Sequence, residues 1–401
     1  LAVAANYDSS IAAELARYDV EEVYGKLPCD VVSGGRPSYM GSPIGWRSLG
    51  RYVKELARHG IAFNYLLNGA CLANGEWTAR WQHALMRLLD KVESLGIGRL
   101  TVSTPYLLEL IKARRPAFHV KVGIYAQVDT PGRARFWEDL GADAINLESF
   151  SINRDFARLA AIRRAVSCQL QLIANHPCLS NCPIQPYHQV GQAHASDGSR
   201  GLYVDWCFFR CTRMRLEDPS LLIKSQWIRP EDLHVYEAMG YGRFKLLERG
   251  IPTPDLLKRV RAYAARRFTG NLAEILLPYG FRDAPRRQRF WTLRNFFRPR
   301  AIKPWRTREL MDLAKRQGML FASGGPMIHI DSEAIGDDFL EHFRRGSCDQ
   351  LCDDCAYCDA VAKRAVRVDS EERGELLKRY RSVEGALARG ELWHVRQAPV
   401  G

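Results

Sequence analysis

Eight of the eleven cysteines fall into two tight groups, and they carry the clearest chemistry in the chain. The first group is Cys178, Cys182, Cys207 and Cys211, two C-x3-C pairs in the runs N-H-P-C-L-S-N-C-P and W-C-F-F-R-C. Thiolates are soft, strongly donating ligands, so two such pairs converging from two loops suit zinc or an iron–sulfur cluster. Structural zinc sites favour C-x2-C knuckles, and the wider pairs here point to a cluster, with buried inert thiols as the bland alternative. His176 and His188 flank the group as candidate hydrogen-bond donors to its ligands or as ordinary loop histidines.

The second group, Cys348, Cys352, Cys355 and Cys358, occupies the run C-D-Q-L-C-D-D-C-A-Y-C. Its first three cysteines match the C-x3-C-x2-C spacing of radical S-adenosylmethionine enzymes. That motif should open a barrel, yet this one lies near the end of the chain. A second cluster or a zinc site remains. Asp349, Asp353, Asp354 and Asp359 around it read as solvated. Further upstream, Phe244–Arg249 carries Lys245, Glu248 and Arg249 near one strand end, candidate catalytic residues whose two cations could hold an anionic donor. An ordinary salt-bridged strand end is the competing reading. Zinc-peptidase, serine-hydrolase and P-loop motifs are absent from the sequence.

Strand-like runs at Ala2–Ala5, Glu22–Gly25, Ala62–Asn68, Arg99–Thr104, His119–Gln127, Ala144–Glu148, Gln169–Asn175 and Arg243–Glu248 alternate with helical patterns. These helices are expected at Trp46–His59, Trp77–Leu95, Tyr106–Arg115, Arg133–Leu140, Arg154–Val166 and Thr253–Phe268. Leu85, Leu88, Leu89 and Val92 form one period-3.6 apolar face. Asp8 and Asn153 are candidate helix N-caps. Eight alternations predict an α/β fold, a parallel TIM-like β/α barrel over residues 1–280, interrupted by a cysteine-bearing insertion at about 176–242. Chemistry in such barrels sits at the C-terminal strand ends, which places Cys29, Asn68, Thr104, Gln127, Glu148, Asn175 and Glu248 near one mouth. Residues 281–401 are expected to hold a basic, aromatic segment, a strand-like G-M-L-F-A-S at 318–323 and a small cysteine-rich C-terminal domain ending in a helix from Ser370 to about Leu387.

The 401-residue composition is that of a globular protein, 46% hydrophobic and 26% charged, with net charge +13. Between Arg243 and Arg316, 20 Lys and Arg stand against 6 Asp and Glu, so the excess is local. Arg286–Arg308 interleaves these cations with Phe290, Trp291, Phe296, Phe297 and Trp305. That pattern suits RNA or an anionic membrane surface, and equally a solvated face whose aromatics dock the C-terminal domain. Clustered rather than scattered cysteines predict a reducing, cytoplasmic location, with membrane association as an option. The longest uncharged run, Ala165–Ser196, contains Asn175, His176, Gln185, Gln189 and three prolines, so no transmembrane helix is expected. The first ten residues carry no signal-like pattern, and a removed leader stays open.

Taken in order, Cys178–Cys182–Pro183 with His188, the W-C-x3-C pair, S-Q-W-I-R-P-E-D-L at Ser225–Leu233, F-K-L-L-E-R at Phe244–Arg249 and the terminal cysteines resemble the collagenase-like peptidase family U-32. The resemblance covers most of residues 1–275 and the terminal cluster. It implies either a peptidase or, as in the better-understood members, oxygen-independent hydroxylation of ubiquinone precursors or RNA, with prephenate as oxygen donor. It also implies a 4Fe-4S cluster on Cys178, Cys182, Cys207 and Cys211, with Cys29 as an alternative ligand. Lys245 and Arg249 match the ends of the family's K-I-E-G-R strand end; Glu248 stands where that motif has glycine. The family's longer cysteine signature is shortened here, and its glutamate is not recognisable. A redox partner is implied if the second quartet relays electrons. The non-enzymatic alternative is an iron–sulfur module that binds RNA or a membrane.

Overall fold

The computed structural model describes residues 1–36, 44–196, 205–276, 302–316, 321–322, 325–350 and 352–393. Eight strands close into one parallel barrel: β1 (Ala2–Ala4), β2 (Glu22–Gly25), β3 (Ala62–Leu67), β4 (Arg99–Val102), β5 (His119–Val122), β6 (Ala144–Asn146), β7 (Gln169–Ile173) and β8 (Phe244–Leu246). Each strand pairs with its neighbour in sequence, and β1 closes on β8 through Ala2↔Lys245 and Val3↔Leu246. The expected barrel is therefore present, but its strands are shorter than the apolar runs. Residues 124–126 after β5, for example, turn into a 3-10 helix that ends with Gln127 in the left-handed region. The apolar runs overshoot because the rim residues remain buried after strand pairing has stopped.

The outer helices are α1 (Ala12–Arg17), α2 (Trp46–Arg58), α3 (Ala79–Ser94), α4 (Pro105–Arg114), α5 (Pro131–Asp139) and α6 (Phe156–Ala165). On α3 the face Trp81, Leu85, Leu88, Leu89 and Val92 is buried, as its spacing predicts. Each such aliphatic side chain contributes roughly 1.5–3 kcal/mol on transfer from water. Thr78 caps this helix by accepting from the Trp81 amide at 3.3 Å. Asp8 caps the first turn of the chain, accepting from the Ser10 amide. At α6 the expected cap, Asn153, is displaced by Asp155, which accepts from the Arg158 amide at 2.9 Å. Asn153 is instead buried and donates to the carbonyls of Ile173 and Gln226, tying β7 to the insertion.

That insertion, between β7 and β8, contributes α7 (Gln185–Ala195), α8 (Trp206–Glu217), α9 (Ser220–Lys224) and α10 (Leu233–Glu237). After β8 come α11 (Thr253–Ala265) and α12 (Ala273–Leu276). The expected boundary near Gly280 and residues 286–301 of the basic segment lie outside the described residues. Farther on, helix Pro304–Arg316, a two-stranded sheet pairing Ile328–Ile330 with Val366–Val368, and helix Ser370–Ala388 build the C-terminal region. Of the strand-like 318–323 run, Phe321–Ala322 pairs with Gly325–Pro326.

The C-terminal region shares one hydrophobic core with the barrel helices. Its last helix grips α8: Glu384 binds Arg213 at 2.9 Å and Arg210 at 3.2 Å, and Tyr380 meets Phe209 edge-on. Arg154, just before α6, is buried against Trp227 of the insertion and against Phe339 and Phe343 of the C-terminal region, 4.6–5.2 Å from their ring centres. Among the described residues, no helix is long and apolar enough to cross a membrane.

Candidate active site at the barrel mouth

The two C-x3-C pairs meet. Cys178 and Cys182 lie on the loop after β7, just before α7, while Cys207 and Cys211 sit one turn apart on α8. All four line a cavity of about 80 Å³ together with His176, His188, Arg215, Glu248 and Arg259. Local sequence explains the placement. Asp205 caps α8 by accepting from the Phe208 amide at 3.2 Å, fixing the phase at which both cysteines face the cavity. The same carboxylate holds His188 at 2.9 Å. From the barrel side, Gln127 donates to Gln185 and Gln189, seating α7 over the end of β5.

Burial is the main cause that pushes all four thiols above their ordinary value, Cys207 to about 12. The thiols also raise one another: Cys178 feels Cys211 and Cys182, and Cys207 feels Cys211 and Cys182. Arg215, one turn beyond Cys211, counters this and points its Nη1 at the Cys211 sulfur from 3.5 Å. At Cys182 the amides of Ile184 and Gln185 oppose the effect of burial. Four crowded thiols whose anions repel are a donor set that a bound cation relieves, so they fit a thiolate-ligated centre. Among the described residues, no three His, Cys, Asp or Glu side chains already stand in metal-holding geometry.

His176 stands between two partners. Its Nδ1 is 2.6 Å from the Ser149 hydroxyl and its Nε2 is 3.0 Å from the Cys178 sulfur. Burial depresses its pKa to about 3. Glu148 beside it is buried and raised by that burial, although it accepts from the amides of Phe150 and Ser151.

The charged strand end divides. Glu248 reaches the cysteine cavity and pairs with Arg36 from the loop after β2. Arg36 also donates to the Arg249 carbonyl. After burial, which dominates at each, the half-buried Arg249 guanidinium is one of the charges that act on Tyr7, Tyr24, Tyr125, Lys26 and Arg36 around the mouth. Lys245 lies elsewhere. It faces the barrel axis below the mouth, with its Nζ 4.0 Å from the Tyr24 ring centre. Burial, then Lys121, bring its pKa down to about 7. Arg36 is thus a cation that the structure brings to this strand end beside Glu248 and Arg249, while β8 turns Lys245 inward to the interior layer with Glu22 and Lys121. Cys29 is exposed on the β2 loop and does not line the cysteine cavity. Asn175 acts as a brace, exchanging hydrogen bonds with the Leu247 backbone.

The second quartet adjoins the first. Gln350, between Cys348 and Cys352, accepts from Asn181 at 2.6 Å, next to Cys182. Lys224 pairs with Asp359, next to Cys358. Asp359 is thus an ion-pair partner of the insertion. Cys352 is exposed, and Cys355 lies 3.3 Å from His342 Nε2. Cys358 feels Cys348, Cys352 and Cys355 as well as Arg154. Arg215, Ser149 and Arg36 were not expected at the site. Only Arg215 leaves a sequence trace, one helical turn after Cys211.

No family model matches the chain. In sequence it is 28% identical over 347 residues to a Methanocaldococcus jannaschii protein described as uncharacterized protease MJ1657, covering 86% of this chain and 89% of that one. Among solved structures, the U32 peptidase Mk0906 aligns with 18% identity and a TM-score of 0.47, covering 63% of this chain and 93% of that chain. The sequence relative is thus a protein described as a protease, similar to this chain over most of both lengths. A D-psicose 3-epimerase aligns at 13% identity and a TM-score of 0.30, over 49% of this chain and 81% of that one. The parts of the chain singled out above are the cysteine pairs on the β7–β8 insertion and the F-K-L-L-E-R strand end.

Proposed function

We propose that this U-32-type chain is an iron–sulfur enzyme that hydroxylates a quinone or isoprenoid precursor, or RNA, without molecular oxygen, taking the oxygen from an anionic donor such as prephenate. One observation carries the reading: Cys178, Cys182, Cys207 and Cys211 share one cavity with Glu248 at the C-terminal mouth of the barrel. A 4Fe-4S cluster on these thiols would supply one-electron chemistry. Arg249 and Arg36 would orient a carboxylate donor, the guanidinium fork allowing a bidentate contact. Glu248, already paired with Arg36, would be displaced or bridged as the donor enters. The second quartet would hold zinc or a further cluster and, in the latter case, relay electrons from a redox partner.

A peptidase is the second reading, favoured by the Cys178–His176 contact and by the name of the sequence relative. A nucleophilic cysteine needs a depressed pKa, whereas Cys178 is raised by burial and by two neighbouring thiols. Anaerobic incubation with oxygen-18-labelled prephenate, or with labelled water, followed by mass spectrometry of quinone, isoprenoid and RNA fractions tests the proposal. Label in a new hydroxyl supports it. Peptide cleavage with no label in any fraction would return the chain to the peptidase reading.

A further inference from the structure

The contact between His176 and Cys178 has a second link, and the two together constrain where protons sit. Ser149 Oγ is 2.6 Å from His176 Nδ1, and His176 Nε2 is 3.0 Å from Cys178 Sγ. Ser149 is almost fully buried, and Phe150 meets the imidazole edge-on at 4.9 Å between ring centres, so the ring is held in place. A metal-bound cysteine sulfur carries no proton and can only accept. Nε2 must then donate, which leaves Nδ1 of a neutral ring as an acceptor. The Ser149 hydroxyl must point its proton at Nδ1. For an imidazole carrying one ring proton, only one arrangement of the two protons satisfies all three groups once Cys178 is a ligand.

Two of the other cavity thiols receive different donors. Cys182 has the amides of Ile184 and Gln185, and Cys211 has the Arg215 guanidinium at 3.5 Å. Cys178 is the one among these three whose donor is an imidazole with its tautomer set by a serine. We infer that Ser149 and His176 form a two-link relay that delivers one N–H to the Cys178 thiolate and thereby raises the reduction potential of the bound centre. This rests on the iron–sulfur reading above and deepens it. The physical basis is electrostatic. Reduction adds negative charge that spreads onto the ligating sulfurs, and a hydrogen bond to sulfur stabilises the reduced state more than the oxidised one. Serine and histidine act here as positioning residues.

The test uses the full chain, purified without oxygen, and an EPR-monitored redox titration alongside iron and sulfide analysis. His176→Phe keeps a flat ring against Phe150 but removes the donor, and it should move the potential to a more negative value at unchanged iron content. Ser149→Ala leaves the ring and frees its tautomer, so a smaller shift in the same direction is expected. In His176→Gln the amide nitrogen can replace Nε2 without help from Ser149. Its potential should return towards wild type, and adding Ser149→Ala to it should change nothing further. A D₂O-sensitive iron–sulfur Raman stretch should be lost in His176→Phe. If His176→Phe fails to hold iron, Ser149→Ala decides, because it alters neither the ring nor a ligand. Loaded variants that all titrate at the wild-type potential would overturn the relay alone. A wild-type chain with no cluster would overturn the relay together with the reading on which it rests.

Discussion

Replacing Glu22 with Gln should destabilise the fold by about 3–5 kcal/mol, although Glu22 lies outside the cysteine cavity. Glu22 is buried inside the barrel, where its carboxylate receives the Lys121 ammonium at 2.7 Å, Arg99 at 3.3 Å and Asn64 at 3.3 Å. Lys121 is just as buried, and its other partner is the neutral Gln171 at 3.2 Å. Removing the anion leaves Lys121 uncompensated and strengthens its repulsion of Lys245. A domain's whole stability is about 5–15 kcal/mol, so the loss is a large fraction of the total. With a urea dependence of about 2–3 kcal/mol per molar, the midpoint should fall by roughly 1–2.5 M. Burial pushes the Glu22 carboxyl up, but Lys121, Asn64 and Lys245 outweigh it and hold the folded pKa below the ordinary 4.5. Its contribution is therefore complete above pH 4.5 and disappears as pH falls through the lower folded value, so wild type and Glu22→Gln should converge in acid. The double variant Glu22→Leu with Lys121→Met, measured at pH 8, should recover most of the loss. A midpoint shift below about 0.3 M for Glu22→Gln would refute the claim that Glu22 compensates a buried Lys121 charge.

Lys245→Met should stabilise the protein, on the order of 3–5 kcal/mol at most, and chiefly below pH 7. The folded pKa of about 7 lies below the ordinary 10.5, so wild-type stability should rise between those values as the folded state sheds its proton first; urea midpoints at pH 6 and pH 9 check this. Arg154→Ala should cost about 2–4 kcal/mol and speed amide exchange in the Phe339–Phe343 segment, because Arg154 also donates to the carbonyls of Ile223 and Trp227. Unchanged exchange there would remove Arg154 as the tie between the C-terminal region and the barrel. Arg249→Lys should leave iron bound while turnover with the anionic donor drops; loss of iron would give Arg249 a structural role instead.

The barrel was legible because eight apolar runs alternate with period-3.6 helices, a pattern that pairing and burial both demand. Strand ends were not, since rim residues such as Glu148 and Asn175 stay buried after the ladder stops. The first quartet was legible through spacing, since C-x3-C on a helix puts Cys207 and Cys211 on one face. Its support was hidden. Ser149 and Arg36 reach the site from the loops after β6 and β2, and contacts so distant in sequence leave no periodic trace. For Lys245 the charge near a strand end was legible but its direction was not: the interior of this barrel is polar enough to take it, through Glu22, Lys121, Asn64 and Gln171.

The most direct test of the central claim is iron, zinc and acid-labile sulfide analysis of the chain purified without oxygen, compared with Cys182→Ala and Cys207→Ala. The account predicts about four iron and about four sulfide at the first quartet, with a broad visible absorbance that either substitution abolishes. Zinc in place of iron, or iron and sulfide that both variants retain in full, would contradict it.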